Sequence, residues 1–446
     1  MKTKTIKNTK KDYLTTQNPL LALFIFFIPI ALGNIFQQFY NLVDSAILGK
    51  FVSEQALAAA AACLSLSNVF IFIANGYGIG AGVIVGNYFG AKNFKKMKEV
   101  ILTAFITSLA ISIVLGIFGI AFGKLILALL KTPEDTIGLA GIYLQIYFFG
   151  LPFVFLYNVT SAMFNALGES KYPLIFLIAS SLLNIFLDLF FVIKLNSGIE
   201  GVAYATLIAQ GCACIISLTV FFKKLKKLNI GETKYFDKFE LSRITKIALP
   251  SILQQATISI GLMLIQSTVN SFGSQALAGY SVGMRIESLG SAAVIACGAS
   301  LSTFTAQNLG AKKYNRINQG YISANVIVMF FLAIIAFKNQ VIYFFIGQNC
   351  SETAFKTATE VLTYMSKVMV LLGFKHTADG ILRGLGRMKM FTIGNLVNIF
   401  IRVSFSKIFA PIIGIQAIWI SNPIGWCASL ALCYISYRHA KRQMNF

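Results

Sequence analysis

The chain has 446 residues, of which 57% are hydrophobic and only 12% charged, with a mean hydropathy of +0.73. A soluble domain carries about 25% charged residues, so a soluble fold is excluded. The formal net charge of +22 would suit nucleic-acid binding if the cations formed one continuous surface. They sit instead in short clusters between long apolar runs, which points to a membrane and away from a nucleic-acid partner.

In chain order, residues 1–19 read as a Lys-rich, disordered cytoplasmic tail. The apolar run from Leu20 continues into Gln37, Gln38 and Asn41 with no A-x-A cleavage pattern, so it is an uncleaved first span rather than a signal peptide. Runs such as 100–122 and 173–193 reach the ~20 residues that cross hydrocarbon as a helix. They are apolar on every face, whereas a barrel strand would alternate. The pattern predicts about twelve helices, near 20–44, 53–85, 99–123, 136–165, 172–194, 199–222, 244–270, 275–306, 316–338, 353–382, 388–410 and 414–437. Basic clusters at 2–11, 92–98, 223–246, 312–316, 383–389 and 438–442 then fall at one end, while the opposite loops hold only scattered cations such as Lys50, Lys124, Lys131 and Lys194. The positive-inside rule makes that basic end, and both termini, cytoplasmic. Cys63, Cys212, Cys214, Cys297, Cys427 and Cys433 lie inside spans, and the histidines are His376 and His439. Neither a disulfide framework nor a zinc spacing follows.

The two halves repeat. Gln55-Ala56-Leu57-Ala58 recurs as Gln275-Ala276-Leu277-Ala278, and Asn87-Tyr88-Phe89-Gly90-Ala91-Lys92 as Gln307-Asn308-Leu309-Gly310-Ala311-Lys312, both at a separation of 220. Pro29 answers to Pro250, Leu167-Gly168 to Leu385-Gly386, and Asn184-Ile185-Phe186 to Asn398-Ile399-Phe400. The expected organisation is therefore a first lobe over 20–222, a polar linker over 223–243, a second lobe over 244–437 and a C-terminal cytoplasmic tail over 438–446. Six spans per half is an even number, so the repeats are parallel, and substrate sites in such duplicated transporters lie between the halves near the midplane. The fold class is thus an all-α integral membrane protein of twelve helices, in two parallel six-helix lobes around a central cavity.

Ionisable groups in hydrocarbon are costly and call for a reason. In the first half these are Asp44, closing the first span, and Asp188, four residues after Asn184 and so on the same helical face. Thr206 adds a hydroxyl in the sixth span. Carboxylate, amide and hydroxyl oxygens of this kind could coordinate Na⁺ or hold a proton. The alternative is that Asp44 lies at the water interface and Asp188 is a structural hydrogen-bond hub. The matching second-half positions read about Ile265, Arg402 and Asn422, which leaves carboxylate coupling to the first half. In the second half Arg285 and Glu287 in the eighth span and Lys375, His376 and Asp379 in the tenth are the charged groups. Lys375 and Asp379, at i and i+4, should neutralise each other. Glu287, Arg285 and Asp379 are candidate cavity residues for a cationic substrate. Gln37, Phe36 and Met263 join them, with Phe39, Tyr40, Phe155, Met163, Tyr280 and Met284 as further aromatics and methionines for a plastic pocket.

These residues resemble the multidrug and toxic compound extrusion (MATE) transporters. The resemblance rests on Pro29 with Gln38-x-Tyr40-Asn41-x-Val43-Asp44, on Gly86-Asn87-Tyr88-Phe89-Gly90-Ala91-Lys92, and on Asn184-x-x-Leu187-Asp188. It continues through Gly201-x-Ala203-x-Ala205-Thr206, Ala306-Gln307-Asn308-x-Gly310-Ala311-Lys312 and Leu382-Arg383-Gly384-Leu385-Gly386. It implies two six-helix lobes that export organic cations in exchange for H⁺ or Na⁺. It also implies, for the DinF-type branch, a first-lobe cation site at Asp44, Asn184, Asp188 and Thr206, supported by Tyr40, Pro29 and Asn41. Asn87 stands where members commonly have Gln. No acid stands in the seventh span, where the NorM-type branch has one, which counts against a second-lobe ion site. No phosphate-binding pattern or nucleophile–base pair appears, so neither an enzyme nor a cofactor is expected beyond H⁺ or Na⁺ as the coupling ion. Small organic cations and membrane lipids are the expected partners of a monomer in a bacterial inner membrane. A flippase for lipid-linked saccharide or peptidoglycan precursors is the alternative, kept open by Arg285, Lys375 and Arg402.

Overall fold

The computed structural model describes residues 12–129, 132–335 and 352–444, and among them every regular element is helical. In chain order these are α1 (Tyr13–Thr16), α2 (Pro19–Ile47), α3 (Glu54–Gly90), α4 (Phe94–Leu129), α5 (Glu134–Phe149), α6 (Leu151–Ala166), α7 (Lys171–Leu189) and α8 (Ile199–Lys226). The second half holds α9 (Lys238–Asn270), α10 (Ser274–Gly310), α11 (Tyr314–Ile335), α12 (Glu352–Gly384), α13 (Met388–Ile413) and α14 (Gln416–Gln443). Among the described residues, α2, α3, α4, α7, α8, α9, α13 and α14 are long and apolar enough to cross a membrane. The pair α5–α6, bent by 51° around Gly150, is together long and apolar enough to count as one further crossing. Pro152, in the first turn of α6, accounts for the break, because it carries no amide hydrogen to continue the ladder from α5. With α10, α11 and α12 these make the expected twelve, although the end of the ninth span, 336–338, lies outside the described residues. Side chains such as Val114, Ile117, Phe400 and Ile412 are between 64% and 72% exposed, a surface that water would penalise and lipid would not.

Duplication is written into the turns. After α3 and after α10, Lys92 and Lys312 adopt the left-handed conformation at φ 57° and 56°. The following amides close the same 6→1 bond, Asn93 N to Tyr88 O at 3.0 Å and Lys313 N to Asn308 O at 2.8 Å. Gly168 and Gly386 repeat the motif at φ 79° and 72°, with Glu169 N donating to Phe164 O and Arg387 N to Leu382 O, both at 2.9 Å. These are the bonds that satisfy the last carbonyls of a helix.

Two compact units result, one over Ile35–Ile252 and the other joining the residues through Asn34 to those from Leu253 onward. They divide inside α2 and α9, not at the linker. In the first unit Gly76 and Gly80 let α3 meet the start of α9 backbone to backbone. A Cβ on Gly76 would lie 2.5 Å from Ile252 Cγ1, and one on Gly80 would lie 2.7 Å from Ala248 N. Its core gathers Tyr77, Met97, Phe164 and Phe221, with Phe164 stacked on Tyr172 at 4.9 Å. In the second unit a Cβ on Gly298 would meet His376 O at 2.5 Å, so α10 and α12 also pack through small residues.

Two expectations are corrected at the ends. Residues 13–16, read as disordered tail, form the turn α1 because Leu14 is fully buried against the end of α10. Asn308 Nδ2 donates to Leu14 O at 3.0 Å, Lys313 Nζ to Thr15 O at 2.8 Å and Arg316 Nη2 to Gln17 O at 2.6 Å. The linker is also shorter than its polarity suggests. α9 begins at Lys238 because Asp237 caps it, accepting from Phe239 N at 2.9 Å.

Candidate cation site

Asp44, Asn184, Asp188 and Thr206 come from α2, α7 and α8, all within the unit Ile35–Ile252. Asn184 and Asp188 are both buried on the inner face of α7. The Tyr40 hydroxyl donates to Asn184 Oδ1, and Asn184 Nδ2 reaches Thr206 Oγ1 at 3.5 Å. Asp188 is 0% exposed, yet neither of its carboxylate oxygens has a hydrogen-bond partner, and Asp44 Oδ1 is likewise buried and unpartnered. The two carboxyls lie within hydrogen-bond reach of each other, close enough to share one proton. Two carboxyls this close, with Asp188 wholly buried and Asp44 partly so, are a costly arrangement when both are ionised. They are the oxygen set a cation or proton would satisfy.

Both aspartates precede a local widening of their helix. α2 ends on a π-helical turn at Leu48–Val52, just after Asp44, and α7 on another at Phe190–Lys194, just after Asp188. Such turns concentrate at functional sites, and no residue pattern announced them. Tyr143, on α5, was also missed: its hydroxyl sits in the field of Asp44 and Asp188. It shares with Thr206 a pocket of about 10 Å³, room for about one water molecule. A tyrosine in an apolar span looks like any packing aromatic until α5 is placed beside α8.

The supporting residues separate. Gln37 Nε2 donates to Asn41 Oδ1 at 3.2 Å, so these two pair along α2 instead of entering the carboxylate cluster. Phe36 is half-buried. Pro29 interrupts α2 about four turns before Asp44. Phe155 and Met163 are fully buried in the core of this unit.

In the other unit Lys375 Nζ lies 2.6 Å from Asp379 Oδ2, the pairing that their spacing anticipates. Asn395 and Gln254 complete a buried network around them, Lys375 donating to Asn395 Oδ1 at 2.7 Å and Gln254 to Asn395 Oδ1 at 3.1 Å. Asp379 is therefore neutralised where it sits. Glu287 accepts from Ser291 Oγ at 3.4 Å and feels the charge of Arg402, but the two form no ion pair within 4 Å among the described residues. Met263 is 60% exposed on α9. The Arg285 side chain lies outside the described residues.

The family model MatE matches residues 29–190 and 250–408, one block in each half. The chain belongs to the multidrug and toxic compound extrusion family. It is similar to the probable multidrug resistance protein YpnP of Bacillus subtilis, 30% identical over 97% of this chain and 98% of that one. It is also similar to the multidrug export protein MepA of Staphylococcus aureus, 23% identical over 87% of this chain and 86% of the other. A solved outward-facing MATE transporter of the MOP superfamily shares the fold at TM-score 0.89 and 22% identity, over 99% and 100% of the two chains. A Pyrococcus furiosus MOP superfamily transporter, described by a reversed polarity of its binding pocket, superposes at TM-score 0.88 over the same shares. As a family member the chain is a multi-pass transporter of twelve spans in two lobes, and not an enzyme.

Proposed function

We propose that this transporter exports organic cations by antiport against H⁺ or Na⁺, with the coupling ion held by Asp44, Asn184, Asp188 and Thr206, as in the DinF-type branch. The observation that carries the reading is the buried Asp188 carboxylate, whose one polar neighbour within hydrogen-bond reach among the described residues is the Asp44 carboxyl. With the ion bound, the Asp44–Asp188 repulsion is relieved. With the ion gone, the lobe regains negative charge, which favours the cationic substrate. Pro29, which leaves a backbone carbonyl of α2 without its amide, gives that helix a place to bend between the two states. The names of YpnP and MepA support a broad drug range. The basic clusters support termini in the cytoplasm of a bacterium.

The test is ethidium efflux from proteoliposomes under a pH gradient or a Na⁺ gradient imposed separately. Transport that follows one gradient and disappears in Asp44→Asn and Asp188→Asn supports the reading and names the ion. Normal transport in both variants would sink the assignment.

Arg402 favours a second reading, a flippase for lipid-linked precursors. It is 8% exposed, its Nε is buried without a partner, and it stands where the first half has Asp188. A pyrophosphate would satisfy it. Translocation of a fluorescent lipid-linked precursor, lost in Arg402→Gln and indifferent to Asp188→Asn, would decide for that reading.

A further inference from the structure

Between α11 and α14, at the end where the basic clusters lie, a pocket of about 600 Å³ opens. Its wall is ordered. The Tyr437 hydroxyl donates to Asn318 Oδ1 at 2.9 Å, and the Tyr437 and Tyr321 rings pack with centroids 5.0 Å apart. Arg438, Lys441 and Arg442 supply three cations to the lining, which contains no carboxylate. None of the three forms an ion pair among the described residues. Beside it lies a groove of about 510 Å³ whose lining shares Tyr321, Ile322, Asn325 and Tyr434 with the pocket. Along that groove the chemistry inverts: its surface is almost wholly apolar, carried by Val326, Met329 and Leu430, and Val326 and Met329 are about half exposed.

A cationic last turn by itself has a simple explanation, since Lys441 and Arg442 complement the negative end of the α14 dipole. That explains neither the tyrosine-walled pocket nor the apolar groove beside it. A ligand that fills both must carry an anionic head and a hydrocarbon tail, and must arrive from the bilayer. Basic pockets between helices on the cytoplasmic side suit anionic lipid headgroups. We infer that this pocket and groove bind one anionic phospholipid of the cytoplasmic leaflet. Its phosphate lies among Arg438, Lys441 and Arg442, and one acyl chain lies along Val326, Met329 and Leu430. The inference stands apart from the transport reading, because no residue of the cation site takes part.

The test is native mass spectrometry of the full-length protein in detergent, titrated with phosphatidylglycerol or phosphatidylcholine. One phosphatidylglycerol should be retained in preference to phosphatidylcholine. Each cation removed should weaken retention about fivefold, so R438Q/K441Q/R442Q should lose it. K223Q/K226Q/K227Q, another basic cluster outside the pocket, should keep it. Glycerol phosphate should not compete at concentrations where the whole lipid does. Equal retention of the two lipids, undiminished retention in the pocket variant, or full competition by glycerol phosphate would each overturn the inference. Should the triple variant fail to fold, Ala431→Phe decides, because it fills the groove and leaves the cations in place. Weakened retention supports the site, and unchanged retention removes it.

Discussion

Asp188 and Lys375 are both charged groups buried inside helices, and their surroundings give them opposite behaviour. Lys375 has a carboxylate at 2.6 Å and an amide oxygen at 2.7 Å, so its charge is satisfied by the protein itself. Breaking such a pair from one side costs about 3–5 kcal/mol, whereas replacing both partners with apolar groups is often neutral. Lys375→Met should therefore lower the thermal midpoint sharply, and Lys375→Met with Asp379→Leu should recover most of it. Equal midpoints for the single and double variants would show that the pair is not coupled. Asp188 has no such partner, so its substitution should act the other way. Asp188→Asn should leave stability unchanged or raise it by about 1–3 kcal/mol, the scale of one unsatisfied buried group, while abolishing coupled transport. A variant that is destabilised and inactive together would mark Asp188 as a structural hub. The spacing of Asn184 and Asp188 exposed this contrast before any coordinates, because carboxylates are rare in hydrocarbon. Tyr143 stayed hidden for the reverse reason, since tyrosine is common there.

At the scale of elements, the turns and caps make sharper predictions than the spans. Gly386 sits at φ 72° and a Cβ on it would touch nothing within 4 Å. Gly386→Ala should thus cost about 1–2 kcal/mol from backbone conformation alone, seen as a lower unfolding midpoint with transport intact. Asp237 ties three things together. It caps α9, receives Lys96 Nζ at 3.2 Å, and donates its own amide to Thr103 Oγ1 at 3.0 Å. Burial pushes its carboxyl up, but the Lys96 ammonium and the Phe239 and Glu240 amides outweigh it and hold the group below its ordinary value. Its contribution is therefore present above the ordinary carboxylate range, near about 3.9, and is lost as the pH falls through the lowered folded value. Asp237→Asn should lower the midpoint at neutral pH and flatten its dependence on acid; an unchanged acid limb would remove Asp237 from the account. Span positions were legible from hydropathy, whereas the π-turns and the early start of α9 were not. The start of α9 rests on one capping side chain, Asp237, inside a stretch whose polarity reads as linker, and hydropathy does not register a single cap.

For the whole molecule, duplication was readable from residues such as Ala91-Lys92 and Ala311-Lys312 because the same turn is kept twice. The partition of the chain was less legible. The polar stretch at 223–243 suggests a clean boundary, yet the unit Ile35–Ile252 takes in the first part of α9. Local polarity reports where the chain meets water, and the units are set by which helices touch. Gly76 and Gly80 press on Ile252 and Ala248, the Tyr88 hydroxyl donates to Glu240 Oε1 at 2.7 Å, and Arg243 lies 3.1 Å from Glu240 Oε2. Each of these contacts has at least one partner beyond residue 226. A fragment ending at Lys226 should therefore expose the small-residue face of α3 and aggregate in detergent. One ending at Asn270 should remain monodisperse, because it carries the segment that covers that face. Size-exclusion chromatography of the two fragments checks this directly. Equal behaviour would mean that the first six spans are complete without α9, and that the start of α9 packs on α3 without supporting it.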